Sequence, residues 1–274
     1  MSTLSHIKSH DVSEMDRVQT AASVTIPSEL FEKMYLNPET SVKGQLRKTL
    51  GNPTPVGLMG LIINASGLGC NLMGWGGSGG GGAALVGVSY IFGGVLLTLG
   101  FIMEWILGNS FVAIVFAFFG AYTFTFALTL TPSVNAQGAF TASATTPAEL
   151  AAGQAEFNAS IAFFYIFSAV MIFIFMICSL RTNIPFFMIF LLLGLLNVLL
   201  ACADWEAAKG HMGVSENLQV ASGAVAFALS FPAWYIWTAQ LFLTVDFPLS
   251  LPIGDLSTRF RGASDRKSSQ KEVV

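Results

Sequence analysis

SFVAIVFAFFGAYTFTFALTLT, residues 110–131, runs for 22 positions without a charged side chain. At ~1.5 Å of rise per residue, a helix of that length crosses the ~30 Å hydrocarbon core of a bilayer. The stretch is not isolated. No Lys or Arg occurs anywhere between Lys48 and Arg181. Only 11% of the chain is charged and 53% is hydrophobic, with Phe alone occurring 24 times. Soluble domains carry about 25% charged residues, so composition places the chain in a membrane. Working outward from 110–131, five more apolar runs of spanning length fall at about 55–74, 83–103, 158–180, 184–203 and 218–243. None alternates polar and apolar residues at period two, which argues against a membrane β-barrel. Lipid then leaves a helical bundle, because each backbone N–H and C=O must be satisfied within its own segment. The fold class is therefore an all-α membrane protein, a six-transmembrane-helix bundle.

The basic residues predict its orientation. Lys8, Arg17, Lys33, Lys43, Arg47 and Lys48 precede the first run, and Arg181 lies between the fourth and fifth. Arg259, Arg261, Arg266, Lys267 and Lys271 follow the sixth. With N- and C-termini both cytoplasmic, only Lys209 of the 13 basic residues falls outside, as the positive-inside rule prefers. Three regions follow: a polar cytoplasmic arm over 1–50, a six-helix transport domain over 51–246 and a cytoplasmic tail over 247–274. Residues 25–36 have the pattern of a short amphipathic helix, and the tail reads as disordered from about Asp255. The arm has no apolar core of a signal peptide. The glycine-rich residues 74–82 read as a flexible outer turn, and residues 132–157 as an outer loop. Asn158-Ala159-Ser160 matches a glycosylation sequon but abuts the fourth run.

Most kinds of chemistry are disfavoured. Cys70, Cys178 and Cys202 are odd in number and irregular in spacing, so they read as small packing residues. His6, His10 and His211 lie outside the runs and join no cluster with metal-ligand spacing. No phosphate-cradling P-loop is present, and no pattern suggests a nucleophile–base pair, a cofactor or nucleic-acid binding. The runs themselves hold essentially no ionisable group. Glu104 stands at the cytoplasmic end of the second, and Asp246 just past the sixth. A strictly coupled ion pump needs buried charges. A conduit for a small, weakly charged or protonatable solute does not.

Neutral polar residues instead fall on stripes. Gly60, Asn64, Gly67 and Asn71 share one helical face of the first run. Tyr122, Thr125 and Thr129 share one face of the third. Tyr165 and Ser168 lie together on the fourth, Asn197 is the only amide of the fifth, and Ser222, Trp234, Tyr235 and Thr238 dot the sixth. Each such residue also serves close helix packing. Together they form a set able to line a narrow pathway. The abundant Phe residues face lipid or pack, and a minority serve as a water-excluding constriction.

At the start of the first run stands Asn52-Pro53-Thr54-Pro55-Val56-Gly57-Leu58. Prolines are tolerated at a helix start, Asn52 is a capping residue, and a helix N-terminus favours an approaching carboxylate. The string resembles the Asn-Pro-Ala-Pro-Leu-Gly-Leu signature of the acetate uptake transporter family of fungi and prokaryotes. Gly93-Gly94 with Glu104, Gly108-Asn109-Ser110-Phe111, Phe119-Gly120-Ala121-Tyr122 and Ala233-Trp234-Tyr235 resemble further segments of that family, in order, over about 51–240. The long polar arm is similar to fungal members. Thr54, Val56, Leu97, Met103 and Thr123 depart from the family's usual residues. The last three lie in the second and third runs, where a change of lining alters which small monocarboxylate is preferred.

The resemblance implies proton-linked uptake of acetate and related short monocarboxylates across the plasma membrane. It also implies a homo-hexamer whose protomers each carry a pathway. A carboxyl pKa of ~4–5 leaves some neutral acid in a mildly acidic medium. Moving the bare anion through a dry constriction is costly, and a co-moving proton removes that cost. Asn52, with Pro53, Pro55 and Gly57 shaping the helix start, is the candidate for orienting the carboxylate. Asn64 and Asn71 are candidate amide donors on the pathway. Tyr122, Tyr165 and Tyr235 are candidates for hydroxyls or an aromatic constriction, with Thr125 and Asn197 on the same stripes. Glu104 is a carboxylate of structural or functional role. A conduit for ammonia or succinate, and a carboxylate sensor that moves nothing, are the rival readings. Ser264, Ser268 and Ser269, near basic residues, are sites for regulatory phosphorylation or simply a solvated tail.

Overall fold

A computed structural model of the chain describes residues 50–257 and 259. The amphipathic stretch 25–36, the rest of the arm before residue 50, and Ser264, Ser268 and Ser269 lie outside the described residues. Six helices are long and apolar enough to cross a membrane: α1 (Thr54–Leu72), α2 (Gly80–Ile106), α3 (Ser110–Leu130), α4 (Pro147–Ser179), α5 (Ile184–Ala208) and α6 (Met212–Thr244). The chain is a multi-pass membrane protein, and no strand forms among the described residues.

Each apolar run forms a helix, but three helices outgrow their runs at one end of the bundle. The 33 residues of α4 extend about 50 Å, well beyond a ~30 Å hydrocarbon core. The expected outer loop 132–157 is corrected accordingly. It holds a short helical turn, Gly138–Thr141, and the first turns of α4. Thr146, Pro147 and Glu149 start α4 with a capping box, in which the Thr146 hydroxyl oxygen accepts the Glu149 N–H and the Glu149 carboxylate accepts the Thr146 N–H. A helix longer than the hydrocarbon core is thick has room for polar residues at its end.

Helices α4 and α5, α5 and α6, α6 and α1, α1 and α2, and α2 and α3 pack side by side in turn. Helix α1 approaches α2 through glycine. A Cβ on Gly60 would sit 2.3 Å from the Phe92 carbonyl oxygen, and one on Gly100 would sit 3.1 Å from Gly57 Cα. Small residues of this kind let membrane helices gain packing contacts where the hydrophobic effect offers none. Helix α2 is irregular: Ser89–Leu96 is wound as a π-helix, a widening often found at functional positions. Phenylalanine divides between two roles. Phe116, Phe119, Phe186 and Phe190 fill the interior, whereas Phe163, Phe167 and Phe231 face outward.

The glycine-rich turn is more ordered than expected. Asn71 Nδ2 donates to the Gly79 carbonyl (3.0 Å), and Asn71 Oδ1 accepts the Gly82 N–H (2.8 Å). Gly81 and Gly82 have φ of +59° and +93°, a conformation that side chains disfavour. Trp75 packs edge-on against Phe227 with ring centroids 4.9 Å apart.

At the opposite end the chain after α6 folds back onto the start of α5. Ile184 N–H donates to the carbonyls of Ile253 (3.3 Å) and Gly254 (3.1 Å), and Leu256 N–H donates to Thr182 (3.0 Å). Ile253 is buried. Asp255, expected at the beginning of a loose tail, pairs by an antiparallel bridge with Asn183.

Candidate functional site

The predicted residues fall into two groups at opposite ends of the bundle, with a third between them. At the Asn52 end, Asn52 Oδ1 accepts the Thr54 N–H at 3.1 Å and starts α1. The next residues are locked from both sides. Trp237 Nε1 of α6 donates to the Pro55 carbonyl at 3.0 Å. A Cβ on Gly57 would strike the Phe116 ring. Glu104 lies behind this start with 0% exposure. Its Oε1 accepts the Thr54 hydroxyl and its Oε2 accepts Asn109 Nδ2 at 2.8 Å. The carboxylate therefore joins α1, α2 and the start of α3. Gln240 of α6 is also fully buried at this end, and neither Nε2 nor Oε1 has a partner among the described residues.

In the middle, Asn64 Oδ1 accepts the Ser89 hydroxyl at 2.8 Å, tying α1 to the first residue of the π-helical stretch. Toward the glycine-turn end, Thr125 turns its hydroxyl to the Ala121 carbonyl on an exposed face of α3. Back at the Asn52 end, Tyr235 is 37% exposed and donates to the Pro252 carbonyl at 2.7 Å, holding the returning chain. Asn71 belongs to the glycine-turn end, where both ends of its amide are used on the turn itself.

At the glycine-turn end, Tyr122, Tyr165 and Asn197 come together from α3, α4 and α5. The Tyr122 hydroxyl donates to Asn197 Oδ1 at 2.9 Å, and Asn197 Nδ2 donates to the Leu193 carbonyl of its own helix at 2.9 Å. The Tyr122 ring stacks on Phe164 with centroids 5.0 Å apart. Beside them opens a cavity of about 190 Å³. Its walls are Leu68 and Leu72 of α1, Phe126 and Thr129 of α3, Phe157, Asn158 and Tyr165 of α4, Leu200 and Asp204 of α5, and Gln219 of α6. Among the described residues no basic side chain lines it. Lys209 is held by Glu206 at 2.7 Å, and His211 Nδ1 lies 2.7 Å from the other oxygen of that carboxylate.

Asp204 corrects the expectation that the spans hold essentially no ionisable group. The fifth apolar run ends at 203, but α5 continues through Ala208 and places Asp204 on the cavity wall. The signal was present: Asp204 follows Asn197 by seven residues and so lies on the same helical face. Asn158, the sequon residue, and Gln219 were not singled out as lining groups, and only the crossing of α4, α5 and α6 gives them a common space. No group of His, Cys, Asp and Glu among the described residues is arranged to hold a metal ion.

The GPR1/FUN34/yaaH family profile matches residues 33–257. "Protein alcS" of Aspergillus fumigatus is 43% identical over 250 residues, covering 90% of this chain and 91% of that protein. "Acetate permease A" of Emericella nidulans is 25% identical over 235 residues, covering 83% of this chain and 74% of that protein. Among solved structures, that of the bacterial acetate channel SatP superposes with a TM-score of 0.56 at 20% identity, covering 75% of this chain and 99% of that chain. The last likeness establishes the six-helix fold.

Proposed function

This chain belongs to the GPR1/FUN34/yaaH family, and from that premise we propose that it carries acetate and related short monocarboxylates across the membrane together with protons. One observation carries the reading: a small cavity inside the bundle, mostly apolar, edged by hydroxyl, amide and carboxylate groups and lined by no basic side chain. Such a space suits a solute with a short apolar tail and one polar head. It offers nothing to neutralise a bare anion, whose transfer from water is costly. A carboxylic acid that keeps its proton enters without that cost. The relatives named acetate permease and acetate transporter support the choice of acetate.

The pathway runs from this cavity past Tyr165 and the Tyr122–Asn197 pair, along the α1–α2 seam at Asn64, to the start of α1 at Asn52. The distribution of basic residues supports cytoplasmic termini, with the cavity at the outer end. The plasma membrane is the site of action and a homo-hexamer the assembly. The apolar outer faces of α3 and α4 fit lipid or a neighbouring protomer.

The test is radiolabelled acetate flux into liposomes containing the purified protein alone, with and without an inward proton gradient. Protein-dependent flux that rises with the gradient is expected. Flux equal to that of empty liposomes overturns the reading, and a panel of unlabelled ammonium, succinate and acetate competitors then separates another solute from a sensor.

A further inference from the structure

Among the described residues, Asp204 is the one carboxylate on the cavity wall. It has no hydrogen-bond or ion-pair partner among the described residues. Tyr165, across the same cavity, likewise has a hydroxyl with no hydrogen bond among the described residues. The titratable groups that face Asp204 are Tyr165 from α4 and Tyr122 from α3. From α6 the neighbour is Gln219 and from α1 Leu68 and Leu72, none of them charged. No cation therefore answers the carboxylate. The Asp204 acceptor and the Tyr165 donor, with the amides of Asn158 and Gln219 beside them, are left facing a space the size of a small molecule.

We propose that this cavity admits a short monocarboxylic acid only with its proton, the acid O–H donating to an oxygen of the Asp204 carboxyl group and the Tyr165 hydroxyl donating to the acid's carbonyl oxygen. The alkyl tail then lies against Leu68, Leu72 and Phe126. Where Asp204 is ionised, a carboxylate anion in the same place meets it as a like charge in a poorly solvated pocket and is rejected. Asp204 is thus a specificity-determining residue that selects the protonation state of the solute, and proton linkage follows from selection at the mouth. The inference rests on the transport reading above.

The experiment compares the full-length wild type, Asp204→Asn, Asp204→Glu and Tyr165→Phe in liposomes, with the flux of empty liposomes subtracted at each pH. In the wild type, acetate flux should track the neutral acid, falling about tenfold per pH unit above a carboxyl pKa of ~4–5. Asp204→Asn removes the like charge while keeping the shape. Its ratio of flux at pH 5 to flux at pH 7 should be at least about fivefold smaller than in the wild type, the equivalent of one lost hydrogen-bond-sized preference. Asp204→Glu should restore the steep profile. Tyr165→Phe should raise the half-saturating acetate concentration about fivefold at pH 5 with the pH ratio unchanged. Wild-type and Asp204→Asn profiles that coincide overturn the assignment while leaving transport intact. Absence of wild-type flux at every pH overturns the transport reading itself, and this inference with it. If Asp204→Asn does not reach the liposomes, Tyr165→Phe decides, and an unchanged half-saturating concentration overturns the site.

Discussion

Glu104 and Asp204 are both carboxylates set within an apolar bundle, at opposite ends and in opposite states. Glu104 has 0% exposure, and both its oxygens accept hydrogen bonds, from the Thr54 hydroxyl and Asn109 Nδ2. Asp204 faces a cavity of about 190 Å³ with no hydrogen-bond partner among the described residues. The difference teaches how to separate structure from function in such a protein. A buried charge already satisfied by its neighbours has little left to offer a ligand. A charge held at a cavity wall without a partner is costly unless something arrives to meet it.

The largest effect should break this contrast at its structural pole. Glu104→Ala leaves Thr54 and Asn109 without their acceptor, and the expected loss is about 3 kcal/mol. Thermal unfolding of the detergent-purified protein, followed by loss of the monodisperse chromatographic peak, measures it. Asp204→Asn in the same assay should melt within a degree or two of the wild type, or above it. Equal destabilisation by both substitutions would mean that Asp204 is as structural as Glu104.

Packing gives a second contrast on one helix. Gly60→Ala forces a methyl to 2.3 Å from the Phe92 backbone oxygen, whereas Gly67→Ala meets its nearest neighbour, Leu85, at 3.6 Å. The first should cost about 2 kcal/mol and the second close to nothing. A comparable drop in melting temperature at Gly67 would place α1 differently against α2.

Smaller effects sharpen the cavity end. Tyr122→Phe removes the hydrogen bond to Asn197 and should cost about 1 kcal/mol of stability, while Tyr165→Phe should cost less than half of that. Matching losses would show that the Tyr165 hydroxyl is bonded in the folded protein. Asn71→Ala should release the glycine-rich turn by about 1 kcal/mol for each bond lost. Faster amide hydrogen exchange at residues 79–82, with the helices unchanged, is the readout.

The positions of these groups were unequally legible. The six spans follow from hydropathy, and the ordered matches to family segments place the chain before any coordinate is known. The capping box of Thr146 and Glu149 was also written in the sequence, but a reading led by apolar runs begins the fourth helix at 158 and overlooks it. Asp204 was lost in the same way, because a charged residue ends an apolar run without ending a helix. Asn71 illustrates the reverse case. Its spacing from Asn64 places it on a pathway stripe, yet both ends of its amide are spent on the turn that follows.

What the sequence determined by itself is what a single segment can decide. An uncharged run of about 20 residues in lipid must satisfy its own backbone, and the helix is the form that does so locally. Tertiary structure decided which polar groups meet. Tyr122 and Asn197 are separated by 75 positions, and Thr54 and Glu104 by 50. Spans that are apolar on nearly every face carry little local signal of how each helix is rotated about its axis. That rotation comes from close packing between helices, at Gly60 against α2 and, between α5 and α4, at Gly194 against Phe173, and on α4 and α5 it is what turns Asp204 and Tyr165 toward one shared space.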